Sequence, residues 1–168
     1  SIVTLHLSIL GTWTQVGADI DGESANDYFG QSVSISADGS RTAVGGYYRC
    51  LNCSQFSGFP TIDSGHVRVY ENLNGNWTQL GGDIKGKTGD SKAGVVSLSS
   101  DGSKVAIGAP GLSQSGYVQI YEFVNGSWSQ LGTDIQGPFN DNFGTSVSLS
   151  SNGNRVAIGA TNQKIATL

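Results

Sequence analysis

The sequence has no methionine, and its 168 residues include only 3 prolines, 2 cysteines and 2 histidines. Two cysteines without a second Cys pair cannot complete a four-ligand zinc site. The histidines, His6 and His66, sit in strand-like patterns beside no obviously partnered Ser or Cys, so no nucleophile–base pair for hydrolysis is legible. Charged residues make up 13% of the chain, with 9 Lys and Arg against 13 Asp and Glu and a net charge of −4. The basic residues are scattered, which argues against nucleic acid as a partner, because phosphate recognition needs clustered Lys and Arg. No apolar run approaches the ~18 residues of a helical membrane span, so membrane insertion is not expected. Ser1 to Leu10 lacks a positive n-region and alternates at Val3, Leu5, Leu7 and Ile9, a strand signature rather than a signal peptide. The missing Met at position 1 suggests a processed chain or a piece of a longer one.

What the chain does have is glycine, 25 residues of it, and a repeat. Three tryptophans lie in matching contexts: Gly11-Thr12-Trp13-Thr14-Gln15, Gly75-Asn76-Trp77-Thr78-Gln79 and Gly126-Ser127-Trp128-Ser129-Gln130. Each leads to an Asp-Ile pair at Asp19-Ile20, Asp83-Ile84 and Asp134-Ile135. Runs alternating serine with an apolar residue follow: Ser32-Val33-Ser34-Ile35-Ser36, Val96-Ser97-Leu98-Ser99 and Ser146-Val147-Ser148-Leu149-Ser150. Next come Asp38-Gly39, Asp101-Gly102 and Asn152-Gly153, then the apolar stretches Thr42-Ala43-Val44-Gly45, Val105-Ala106-Ile107-Gly108 and Val156-Ala157-Ile158-Gly159. Gly65 to Tyr70 and Gly116 to Tyr121 close the two complete units.

Each unit therefore reads as four short strands. The first has one apolar and one serine face, and its Asx-Gly pair predicts a two-residue hairpin turn into the second. The second is apolar on both faces, as in a sheet covered on both sides. The expected fold is all-β: a β-propeller segment of about three four-stranded antiparallel blades. A β-sandwich would leave matching at this many positions to accident, and β-solenoid repeats are usually shorter than about fifty residues. The units run over residues 13–76, 77–127 and 128–160, with an N-terminal strand at 3–9 and an inserted loop at 46–64. The chain opens in a third strand and ends after a second, near Ala160, so we expect either part of a larger propeller or copies that associate to complete one.

Asp27-Tyr28-Phe29-Gly30 and Asp141-Asn142-Phe143-Gly144 precede two of the alternating strands, and Gly108-Ala109-Pro110 ends an apolar one. In this order they resemble FG-GAP repeats, the blades of the integrin α-subunit head and of many bacterial and algal surface proteins. The second unit carries Lys92-Ala93 at the Phe-Gly place, and the first and third carry Gly45-Gly46-Tyr47 and Gly159-Ala160-Thr161 at the Gly-Ala-Pro place. Kelch repeats are the runner-up, since Tyr70 to Trp77 and Tyr121 to Trp128 match their Tyr-to-Trp spacing. The FG-GAP resemblance implies an extracellular or cell-surface scaffold for protein or glycan contacts, and raises calcium as a cofactor.

Calcium needs six to eight oxygen ligands. The Asx-Gly turns offer one carboxylate at most, leaving Asp19, Asp21 and Asp27 as the richest acidic stretch; Lys85 and Gln136 replace Asp21 in the other units, so the alternative is a solvated acidic loop. Cys50 and Cys53 are either a disulfide pinning the inserted loop, which would fit an oxidising compartment, or two free thiols. Asn52, Asn76 and Asn125 begin glycosylation sequons. Tyr47, Tyr48, Phe56 and Phe59 give the insertion an aromatic surface suited to contact, or to packing on itself. The repeated tryptophans read as packing between blades. The expected function is a non-enzymatic binding scaffold; the alternative is part of a propeller hydrolase whose active site lies outside this segment.

Overall fold

Runs in which serine alternates with Val, Ile or Leu have the period of a strand with one apolar face, not of a helix. In the computed structural model, which describes residues 1–23, 27–47, 64–87, 91–111, 115–139 and 141–161, every such run is a strand, and the described residues contain no helix. Counting units from here on by sheet rather than by sequence repeat, the first comprises β1 (Ile2–Val3), β2 (His6–Ile9), β3 (Thr12–Gln15) and β4 (Ile20–Asp21), with β2 on β3 and β1 on β4. The second is a five-stranded sheet of β5 (Ser32–Ile35), β6 (Arg41–Gly46), β7 (His66–Leu73) and β8 (Asn76–Gln79) in that spatial order, with β9 (Ile84–Lys85) also on β7. The third repeats it with β10 (Val95–Leu98), β11 (Lys104–Ala109), β12 (Tyr117–Val124), β13 (Ser127–Gln130) and β14 (Ile135–Gln136). The hairpin of β15 (Ser146–Leu149) and β16 (Val156–Gly159) matches β5–β6. All pairings are antiparallel, and the register repeats: Arg41 faces Glu71 and Gly46 faces His66, as Lys104 faces Glu122 and Ala109 faces Tyr117.

Two features differ from the sequence expectation. The Ile of each Asp-Ile pair and the residue after it form a further strand of two residues, which in the second and third units lies on the first half of an eight-residue third strand whose second half carries the Trp strand, and in the first unit lies on β1. Two residues are too few to give a periodic signal. The Asx-Gly turns are also longer than two residues. The Ser36 amide bonds the Arg41 carbonyl, enclosing the four residues Ala37 to Ser40, and only Gly39 takes a positive φ, 72°. Asp38 closes the loop instead, accepting from the Ser36 hydroxyl at 2.7 Å and the Ser40 amide at 2.9 Å. Asp101 does the same with Ser99 and Ser103.

The core lies between sheets. Ala43, Val67 and Val69 of the second unit meet Val96, Leu98, Val105 and Ile107 of the third. Val3, Leu5 and Ile20 of the first meet Val44 and Tyr70 of the second. Ala43 and Val44, adjacent on β6, thus face opposite neighbours, which is why the second strand is apolar on both faces. Fully burying a Val or Ile contributes roughly 1.5–3 kcal/mol, so these interfaces dominate the stability.

Polar bonds repeat from sheet to sheet at fixed positions. The Ser34 hydroxyl accepts the Leu98 amide at 2.9 Å, and the equivalent Ser97 accepts the equivalent Leu149 amide at 2.9 Å. The Ala37 amide bonds the Ser100 carbonyl, and the Ser100 amide bonds the Ser151 carbonyl. The Trp77 indole donates to the Val16 carbonyl at 2.9 Å, and Trp128 donates to the Leu80 carbonyl at 2.8 Å. The alternating serines and the tryptophans are joints between units.

Candidate functional site

The linkers entering β5, β10 and β15 and the loops leaving β6 and β11 gather at one end of the sheets. In each linker a glycine amide bonds the carbonyl of the glycine near the end of the second strand: Gly30 to Gly45 at 3.2 Å, Gly94 to Gly108 at 3.1 Å and Gly144 to Gly159 at 3.0 Å. Those second-strand glycines are dictated by the neighbouring unit. A Cβ on Gly45 would lie 1.9 Å from the Gly94 oxygen, and one on Gly108 would lie 2.2 Å from the Gly144 oxygen. The Phe-Gly and Gly-Ala-Pro residues are therefore in contact, within a unit and between units.

Two positions before each linker glycine stands a residue held in the left-handed region: Tyr28 (φ 48°), Lys92 (φ 51°) and Asn142 (φ 49°). The residue after it turns inward in the first linkers, where Phe29 and Ala93 are buried. Tyr28 turns outward and is 41% exposed. Its ring stacks on Tyr47, centroids 6.5 Å apart and planes 23° from parallel. The Lys92 ammonium lies 5.5 Å from the centre of the Tyr47 ring, and Gln31 donates to the Tyr47 hydroxyl at 2.9 Å. Two aromatic faces with a cation and an amide thus meet where two units join. Phe29 lies beneath, stacked on His66 at 6.3 Å and edge-on to Tyr70 at 6.3 Å.

A second polar cluster lies between units. Buried Arg68 forms a bidentate pair with Asp83 at 2.8 and 3.0 Å and an ion pair with Glu23 of the preceding unit. At the equivalent place, Lys87 reaches Asp134 of the next unit at 2.7 Å, and Asp134 also accepts from buried Gln119 at 3.0 Å. The Arg68 hydrogen bond holds the Asp83 carboxyl down to about 2, with Gln79 assisting, and the pair raises Arg68 above its ordinary value. Burial opposes ionisation of Asp134, yet the bonds from Lys87, Gln130 and Gln119 lower its pKa on balance. Glu23 and Lys87 occupy the same place in successive units, and the sign of the charge follows what the next unit offers.

The acidic stretch singled out in the sequence is not one cluster. Asp19 accepts from Gln15 at 2.7 Å, and Asp83 and Asp134 do the same with Gln79 and Gln130 at 2.9 Å, so this aspartate is a repeated turn brace. Asp21 is exposed on β4, while Asp27 is buried and accepts the Phe29 amide at 3.1 Å. Among the described residues, no three His, Cys, Asp or Glu side chains are grouped to hold a metal. Asn76 is exposed at the start of β8 and Asn125 in the turn before β13. Cys50, Cys53, Asn52, Tyr48, Phe56 and Phe59 lie outside the described residues; Tyr47 is the part of the proposed aromatic loop within them. Sequence reasoning missed Tyr28, Lys92 and Gln31. It also missed the Arg68 cluster, although the Gln-to-Asp spacing of four in all three units was a readable sign of a structural aspartate.

No family model and no curated protein matches the chain. Solved structures do. A protein of Bacteroides uniformis, provisionally named a 6-phosphogluconolactonase, superposes over 99% of this chain with a TM-score of 0.59 at 13% identity. The chain is a β-propeller segment. It spans 45% of the length of that structure. TolB of Acinetobacter baumannii is a weaker match, with a TM-score of 0.43 and 16% identity over 94% of this chain and 31% of TolB. In propeller terms, the second and third units are complete blades, β1 to β4 supply the third and fourth strands of another blade, and β15–β16 the first and second strands of one more.

Proposed function

We propose that this segment is an FG-GAP-type blade array of an extracellular or cell-surface protein, acting as a non-enzymatic scaffold whose loop end contacts a glycan or protein ligand. The observation that carries the reading is the Tyr28–Tyr47 stack. Tyr28 is exposed at the junction of two blades, its ring stacked on half-buried Tyr47, with Lys92 and Gln31 beside them. A tyrosine offers an apolar face and a polar tip at little entropic cost, the usual make-up of a contact residue. The FG-GAP assignment draws on the contact between the linker glycines and the second-strand glycines, which gives the motif residues a joint role. The repeat's ionisable groups support a scaffold: Asp38, Asp101, Asp83, Asp134 and Arg68 are all engaged in holding turns and blades.

A glycan array probed with the chain is the direct test, alongside protein partners displayed on the same surface. Binding lost in Tyr47→Ala and Tyr28→Ala, with thermal stability unchanged, is the expected result. Binding that survives both substitutions, or no binding to any sugar or protein, sinks the reading. The lactonase name of the Bacteroides structure suggests a hydrolase as a second reading, but at 13% identity the likeness carries the fold alone. Turnover of a sugar lactone by the chain would favour it.

A further inference from the structure

Arg41 pairs with Glu71, Arg68 with Asp83 and Glu23, Lys87 with Asp134, and Lys104 with Glu122. Lys92 differs. Its ammonium lies 5.5 Å from the centre of the Tyr47 ring, and among the described residues no carboxylate lies within ion-pair distance of it. The polar atoms beside it are only half used. Gln31 Nε2 donates to the Tyr47 hydroxyl at 2.9 Å, which leaves the Gln31 side-chain oxygen as an acceptor and the Tyr47 proton as a donor. Gln31 and Tyr28 are exposed, while Tyr47 and Lys92 are half-buried. The joining of blades does not require this set. At the next junction, between the third unit and the β15–β16 hairpin, the equivalent positions hold Lys92 for Tyr28, Pro110 for Tyr47, Val95 for Gln31 and Asn142 for Lys92. The glycine contact is the same at both junctions, Gly45 against Gly94 and Gly108 against Gly144, yet the second has no aromatic ring at these positions. The patch is built once, between the two complete blades.

We infer that the patch binds a saccharide carrying a negative charge, a uronate carboxylate or a sulfate ester. This rests on the contact role proposed above and narrows it to one class of ligand. A pyranose presents an apolar face of C–H groups, which suits the exposed ring of Tyr28. Its hydroxyls both donate and accept, matching the Gln31 oxygen and the Tyr47 proton. The Lys92 ammonium supplies the remaining requirement. An anion within its reach makes a charge-assisted hydrogen bond, roughly twice as strong as a neutral one, whereas a neutral sugar leaves the charge unanswered. The chain as a whole carries −4 and so offers an anion no general attraction, which puts the discrimination on this one cation. Four side chains are a small site for a protein partner, whose stable contact takes about 800 Å² a side, and an ordinary one for a sugar ring.

Titration calorimetry of the full chain with two matched pairs of sugars tests it: oligogalacturonate against its methyl ester, and a sulfated galactan oligosaccharide against its desulfated form. The charged member of at least one pair should bind about tenfold tighter than its neutral counterpart, and the pair that shows it tells carboxylate from sulfate. Lys92→Asn installs the residue that the next linker carries at the same backbone angle, Asn142 at φ 49°, so the linker keeps its fold. It should erase the preference, and Lys92→Arg should retain it. Arg155→Gln removes the same charge from an exposed residue at the opposite end of the sheets and should change nothing. Tyr28→Ala should weaken charged and neutral sugars alike. Binding that needs Tyr28 but ignores charge overturns this inference and leaves the contact role standing, as does a protein ligand that needs Tyr28 where no sugar binds. A preference for the charged sugar that survives Lys92→Asn also overturns it. No binding of any sugar or protein overturns both.

Discussion

Replacing Gly108 by alanine isolates the contact on which blade-to-blade packing depends. The new methyl would lie 2.2 Å from the Gly144 oxygen and 3.1 Å from the Gly144 carbonyl carbon. Both are backbone atoms, so no side chain can swing aside. Gly144 is itself fixed, with φ at +92° and its amide bonded to the Gly159 carbonyl at 3.0 Å. Relief requires the two blades to part by about 1 Å, and overpacking of this kind costs roughly 1–3 kcal/mol, with a backbone-on-backbone clash at the upper end. At about 3 kcal/mol, and an m-value near 2 kcal/mol/M, the urea midpoint should fall by about 1.5 M. The thermal midpoint should fall by about 6–12 °C. Gly82→Ala is the matched control: a Cβ there has nothing within 4 Å and the backbone is not left-handed. It should lie within about 0.5 kcal/mol of the parent or be slightly stabilising, because alanine narrows the unfolded ensemble. Equal midpoints for the two variants would refute the reasoning that the neighbouring blade, rather than local backbone freedom, requires Gly108.

Ser97→Ala removes the acceptor for the partly buried Leu149 amide, and a loss of about 1–2 kcal/mol in urea unfolding is expected. Trp128→Phe keeps most of the ring packing but deletes the bond to the Leu80 carbonyl, and should cost about 1 kcal/mol by the same assay. Asp101 and Asp38, held to about 2 by serine hydroxyls and a backbone amide, and Asp83, held to about 2 by Arg68, all sit below the ordinary 3.8. Their depressed values favour the folded state above about pH 4, where the unfolded chain has also released these protons, and the contribution is lost as pH falls from about 4 towards 2. Urea titrations from pH 5 to 2 should show stability declining through that window, and a shallower decline in Asp101→Asn; an unchanged slope in that variant would count against the turn-brace assignment.

What was readable in the sequence was what repeats with the same residue type. The alternating serines, the tryptophans and the second-strand glycines each serve one inter-blade contact twice over, and a contact with the next blade tolerates few alternatives. The features that escaped are of three kinds. The Ile20–Asp21, Ile84–Lys85 and Ile135–Gln136 strands are too short for any period. The clasp between blades keeps its geometry while changing its chemistry, from Glu23 on Arg68 to Lys87 on Asp134, so no residue pattern marks it. The Tyr28–Tyr47 stack joins a linker to the end of a strand nineteen residues away, a proximity that only the closing of the Gly30–Gly45 bond creates. The acidic stretch at Asp19, Asp21 and Asp27 was misleading for the converse reason. Neighbours in sequence, they point into a turn, a strand face and a buried linker.

The same contrast separates architecture from function within the blades. A position that must bond or pack against the next blade keeps its residue type from unit to unit, as Ser34 and Ser97 or Trp77 and Trp128 do. The left-handed position two before the linker glycine is different. Its backbone is nearly identical at Tyr28, Lys92 and Asn142, yet the side chains are aromatic, cationic and amide. Asparagine is the residue that tolerates this conformation best, and a tyrosine or a lysine there carries a conformational cost that the local fold does not require. Tyr28 and Lys92 both converge on Tyr47. A cost that recurs at one structural position and resolves into one patch, exposed at Tyr28 and half-buried at Lys92 and Tyr47, is what the proposed contact role would account for.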